Sequence, residues 1–129
     1  MEVPNLKNMK IYTSYFGFLK KVPPEILPVS IARFSPKWFS GKEMKPLAPE
    51  KKLLWQAKGG KISEEEYTRR YMNQIQKLFD PIILYGKFVT DFGGKDIVLL
   101  CFEKKGEFCH RRLLAEWLEA GLAISIPEL

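Results

Sequence analysis

A compact three-layer α/β/α domain on a small, mostly parallel four-stranded sheet is the fold that this 129-residue sequence predicts. Three observations predict it. Ile97-Val98-Leu99-Leu100-Cys101-Phe102 is an unbroken apolar run with β-branched residues, which suits a strand buried on both faces. After a short polar loop, Leu113, Leu114, Trp117 and Leu118 recur at helical spacing. Strand-like and helix-like stretches are also separated along the chain in a way that implies parallel pairing through crossovers. The length fits one domain, residues 1–129, with its own core.

The elements follow in order. Met9 to Phe16 is β-branched and aromatic and reads as the first strand, ending near Thr13-Ser14. Pro23-Pro24 excludes a regular interior there, and Leu27 to Arg33 is the second strand. Arg33 to Phe39 leaves it as a basic, aromatic loop, and Gly41 to Pro49 is irregular. Pro49 opens a helix through Glu50–Ala57, ended by Gly59-Gly60.

Ser63 and Glu66 form a capping box, in which each side chain satisfies an orphan amide. Tyr67, Tyr71, Ile75, Leu78 and Phe79 then mark one apolar face. Glu65–Arg69 and Glu66–Arg70 have the acid-first spacing that favours helical ion pairs. Residues 82–92 form another helix, closed by Gly93-Gly94. The central strand and its helix come next, with Gly121 as the expected cap. Leu122 to Ile126 is the last strand, stopped by Pro127. The expected order is therefore β, β, α, α, α, β, α, β.

The net charge is +6, and its distribution is uneven. Residues 1–60 carry 11 Lys/Arg against 4 Asp/Glu, whereas residues 61–129 carry 10 against 11. A basic first half favours an anionic partner, such as a nucleotide or nucleic acid. A plain solvated surface accounts for the charge equally well. Two cysteines make no disulfide framework, the amino terminus has no signal-peptide pattern, and no apolar run reaches membrane-spanning length. A reduced cytoplasmic setting is the default, without a membrane association. The sequence names no cofactor and no oligomeric state.

The chemistry gathers where the central strand ends and its helix begins. Cys101 and Glu103 lie at the strand's carboxyl end, and Cys109, His110 and Arg111 near the helix start. Ligands collect at strand carboxyl ends, and helix amino ends attract anions. Arg111 can add forked donors, with Arg33 and Lys37 reaching the same face from the second strand. His110, the one histidine, is the first choice for moving a proton, and a loop-orienting role is equally open. Glu103 reads as an anchor for Arg33 or Arg111 ahead of a proton acceptor. Thr13, Ser14 and Ser30 are polar strand-end contacts. Trp38 and Phe39 more often cover a sheet than stack on a base.

The cysteines admit sharper readings, each ranked below a plain buried Cys101. One of them near a helix start beside cations can be a nucleophile, although the spacing lacks the Cys-x5-Arg of cysteine phosphatases. Cys101, Cys109 and His110 are three zinc donors without finger spacing, so no metal is assigned. A disulfide across the loop fits poorly with a reducing compartment.

With its Cys101-Phe102-Glu103, its Cys109-His110-Arg111 and the apolar helix beyond, the chain resembles domain of unknown function family 488. The resemblance extends to Thr13-Ser14, to Ser30 through Phe39 and to Gly121 through Ile126, which is nearly the whole chain. Longer relatives often end the first strand in a Gly-His-Ser-Thr pattern, where this chain reads Tyr12-Thr13-Ser14-Tyr15. The resemblance implies kinship and no particular reaction.

Three functions follow as expectations. The first is an enzyme or ligand-binding domain for a phosphate-bearing compound. In it Arg33, Lys37 and Arg111 hold the anion, His110 moves a proton and Glu103 orients the arginines. The second is a non-catalytic nucleic-acid or protein interaction module, using the basic half. The third is thiol chemistry at Cys101 and Cys109.

Overall fold

Four strands lie side by side in the order β1-β4-β2-β3, all parallel, in a computed structural model that describes residues 9–129. The reading of the extreme amino terminus lies outside those residues. The strands are β1 (Ile11–Tyr15), β2 (Leu27–Ser30), β3 (Lys42–Glu43) and β4 (Ile97–Cys101). The helices are α1 (Lys51–Lys58), α2 (Glu64–Leu78), α3 (Pro81–Phe92) and α4 (His110–Leu122). β4 is central and buried at every position, as its unbroken apolar run requires.

Side chains alternate across β4 and divide the core in two. Ile97 and Leu99 join Ile11 and Val29 beneath residues from all four helices, among them Leu53, Tyr71, Phe88 and Leu114. Val98 and Leu100 face the other way, onto Phe16, Val22 and Ile26. That second face is covered by the 3-10 turn Phe16–Lys21 and the chain after it. Among the described residues the thin third layer therefore contains no α-helix.

The expected fourth strand is corrected by the structure. Leu122 to Ile126 makes no strand; its tail runs along β1, with the Thr13 amide donating to Pro127 O (3.0 Å) and the Leu129 amide to Thr13 O (2.8 Å). Pro127 has no amide to donate, so no ladder continues there. The fourth sheet strand is Lys42–Glu43, inside the stretch read as irregular, paired to Val29 and Ser30. Two charged residues give no periodic pattern to find.

Side chains cap the amino ends of α2 and α3, whereas Glu50 before α1 and Cys109 before α4 make no side-chain cap. Half of the expected capping box forms: Ser63 Oγ accepts from the Glu66 amide (3.0 Å), while the Glu66 carboxylate accepts from Arg69; Asp80 Oδ1 accepts from the Ile83 amide (2.8 Å), and Gly93 closes α3 in the left-handed region. The helical ion pair is Glu66 with Arg69 at 2.7 Å, one residue closer than expected, and Arg70 donates to Gln56 instead. Gly121 does not cap α4; the left-handed cap is Ala123.

Gly121 has a packing role. A Cβ there would meet the Pro81 ring at 2.4 and 2.7 Å. Gly121→Ala is expected to destabilise by about 1–3 kcal/mol, because a rigid ring gives way poorly, outweighing the helix preference of alanine. Denaturant titration checks it; equal or greater stability would remove this packing role.

Candidate functional site

Parallel pairing brings the carboxyl ends of β1, β4 and β2 to one edge, with Cys101 opposite Tyr15 and Leu100 opposite Ser30. A cleft of about 320 Å³ opens there. Cys101, Cys109 and His110 form one wall; Arg33 and Phe34, from the exit of β2, and Tyr67 of α2 complete it. Thus the strand-end and helix-start motif, split by a loop in sequence, becomes one surface.

Cys101 and Cys109 are joined as a disulfide that spans the loop, a pairing the sequence reading ranks low. Both are nearly fully buried yet line the cleft. The two sulfurs have opposite electrostatic neighbours. Arg111 Nη1 lies 3.0 Å from Cys101 Sγ, whereas Glu103 Oε2 lies 3.2 Å from Cys109 Sγ.

His110 is held by its far nitrogen. Nε2 lies 2.7 Å from Ile31 O, which only accepts, so Nε2 carries the proton and Nδ1 is left with a lone pair. Nδ1 lies 3.7 Å from Cys109 Sγ. Burial lowers the ring's pKa, the bond to Ile31 opposes this and the Arg111 charge adds to it, bringing the value to about 4. The imidazole is neutral at pH 7 and faces the sulfurs as an acceptor. Tyr71 packs edge-on to the ring at 5.4 Å and donates to Leu47 O (2.7 Å).

Arg111 is fully buried, and its donors are occupied. Nη2 meets Glu128 Oε2 at 2.7 Å, Nε lies 3.1 Å from Glu128 Oε1, and Nη1 donates to Glu103 O at 2.6 Å. The guanidinium therefore sits behind Cys101, outside the cleft lining. It acts on the sulfur and has no free fork for a ligand. Burial works to raise the pKa of Glu128, but hydrogen bonds from Arg111 and Thr13 and the charges of Arg111 and Arg112 outweigh it and lower the value.

The remaining expected residues separate into two places. Thr13 donates to Glu128 Oε1 (2.5 Å) and accepts from Arg112 (2.8 Å), and Ser14 Oγ lies 3.4 Å from Leu129 O. Both tie the carboxyl tail to β1, away from the cleft. Arg33 lines the cleft but is anchored to Pro49 O (3.0 Å) and Ala48 O (3.3 Å). Lys37 is exposed and is not part of the lining. Glu103 touches Arg111 through its carbonyl, so the expected anchor is made by the backbone.

Sequence reasoning passed over Glu128, which lies beyond Pro127 where no element was expected. Tyr67 lies on the apolar face of α2, where the sequence places a core residue with its hydroxyl at the rim. Tyr67 is buried but reaches the cleft, where burial and the Glu103 charge raise its hydroxyl pKa. Ligand atoms of Cys101, Cys109 and His110 lie within 4.8 Å of one another, so the reduced pair could hold a soft ion. The Arg111 guanidinium opposes that at Cys101. No helix among the described residues is long and apolar enough to cross a membrane.

A family model described as the active DUF488-N3 subclade, DUF488-N3a, matches residues 13–122. Neither the curated proteins nor the solved structures contain a match.

Proposed function

The chain belongs to the DUF488 family, in the active DUF488-N3 subclade, and from that starting point we propose that its cleft is a thiol-based active site. The supporting observation is the asymmetry of the sulfur pair: a guanidinium on Cys101 and a carboxylate on Cys109. A neighbouring cation lowers a thiol's pKa, and a neighbouring anion raises it. In the reduced protein Cys101 is then the thiolate nucleophile and Cys109 the resolving thiol. In the reducing cytoplasm expected for this chain, such a disulfide is catalytic or sensing rather than structural.

The reaction is thiol–disulfide exchange. Cys101 thiolate attacks one sulfur of a substrate disulfide; that S–S bond breaks, and one substrate thiolate leaves and takes a proton. Cys109 loses its proton to water and attacks Cys101 Sγ, closing the protein disulfide. The second substrate thiolate leaves and takes a proton from water. The substrate gains two electrons and becomes two thiols; the protein dithiol loses two.

Alkylation of the reduced protein with iodoacetamide across pH tests the asymmetry. Cys101 is expected to titrate below the ordinary thiol value and Cys109 at or above it. Ordinary rates at both, with midpoints near about 8.5, would dismiss the proposal.

A second reading concerns the ligand. Arg33, Lys58 and the amino end of α4 face the same cleft, alongside the Glu64 and Glu103 carboxylates, and the ligand of this second reading is a phosphate-bearing compound such as a nucleotide, held on the cationic side. Protection of Cys101 from alkylation by a nucleotide supports this; no protection at millimolar concentration removes it.

A further inference from the structure

The basic excess of the chain is confined to one segment. Residues 33–61 hold eight Lys/Arg against two Asp/Glu, a net +6, which equals the net charge of the whole protein. That segment also carries a pair of large, exposed aromatics. Phe34 is 49% exposed and Trp55 56%, and their rings lie 6.3 Å apart at 31°. They come from the loop after β2 and from α1, so the fold assembles the pair from two separate stretches.

Lysines surround both rings. Lys45 and Lys51 place their ammonium groups 5.8 and 5.9 Å from the Phe34 ring centre, and Lys58 lies 5.7 Å from that of Trp55. Phe34 and Lys58 also line the cleft, so the surface continues into it. Exposed rings cost free energy in water unless something covers them, and this cover has to tolerate a dense positive field. An apolar protein surface does not match such a field. A strand of unpaired bases does, offering π-faces to the rings and phosphates to the lysines.

We infer that this face binds single-stranded nucleic acid, with bases stacked on Phe34 and Trp55 and phosphates beside Lys45, Lys51 and Lys58. Duplex is a poorer fit, because its bases are already stacked on one another. The inference stands apart from the thiol chemistry, since none of these residues touches either sulfur.

The test uses fluorescence anisotropy of a labelled 20-mer of thymidylate with the full chain, compared with duplex DNA and with heparin as competitor. Binding should weaken about twentyfold between 50 and 200 mM salt if three phosphates are neutralised. Phe34→Ala and Trp55→Ala should each weaken it by roughly 5- to 150-fold, the range for loss of one stacked base. Circular dichroism of these surface variants confirms that they fold. Three outcomes overturn the inference: no binding at 50 mM salt, duplex bound as tightly as single strand, or alanine variants with unchanged affinity. The last would reduce the face to a general polyanion surface.

Discussion

Glu128→Gln is expected to destabilise the protein by about 3–5 kcal/mol at pH 7, the cost of leaving a buried charge without its partner. Arg111 is fully buried and cannot shed its proton, and Glu128 is the only carboxylate among the described residues that forms an ion pair with it. Removing the negative charge leaves the guanidinium with an amide, the Glu103 carbonyl and a sulfur. The effect depends on pH in a definite direction. Glu128 has a depressed folded-state pKa, so its contribution is complete above the ordinary carboxyl value and is lost as pH falls through the folded value. The gap between wild type and Glu128→Gln should therefore narrow below about pH 4.5. Urea denaturation at pH 7 and pH 3.5 measures both points. A loss under about 1 kcal/mol at pH 7 would mean that the pair behaves as a solvated surface pair.

Substitution of either cysteine is expected to change the stoichiometry of exchange as well as its rate. The reduced wild-type protein should release two thiols from each small aromatic disulfide and regain its own disulfide. Cys109→Ser should release only one, because nothing resolves the adduct on Cys101. Cys101→Ser leaves a thiol raised by the Glu103 carboxylate 3.2 Å away, and its first step should be about tenfold slower at pH 6. Thiol release followed by absorbance checks these values. Variants that both release two thiols would contradict the assignment.

The sequence makes the strongly patterned parts of this fold legible. β4 is found by its apolar run, α2 by its cap and α3 by the glycine pair after it, because each signal is local. β3 escapes because two charged residues join the sheet only through their backbone. The role of Gly121 is hidden because its reason, the ring of Pro81, lies 40 residues earlier in the chain. At the site, the motif residues are found together, as strand-end topology requires. Their pairwise roles are not legible, since Arg111 is turned from the cleft by Glu128, a tail residue that no local pattern connects to it. Arg33 and Lys37 look alike in sequence, yet one lines the cleft and the other does not.

The central claim is that Cys101 is the attacking sulfur of an asymmetric pair. It is tested most directly by the intact mass and peptide map of reduced Cys109→Ser after reaction with a small disulfide at pH 6. The account predicts one adduct, carried on Cys101, that persists until a reducing agent is added. A protein that stays unmodified would contradict it, because Cys101 would then be no better a nucleophile than an ordinary buried thiol.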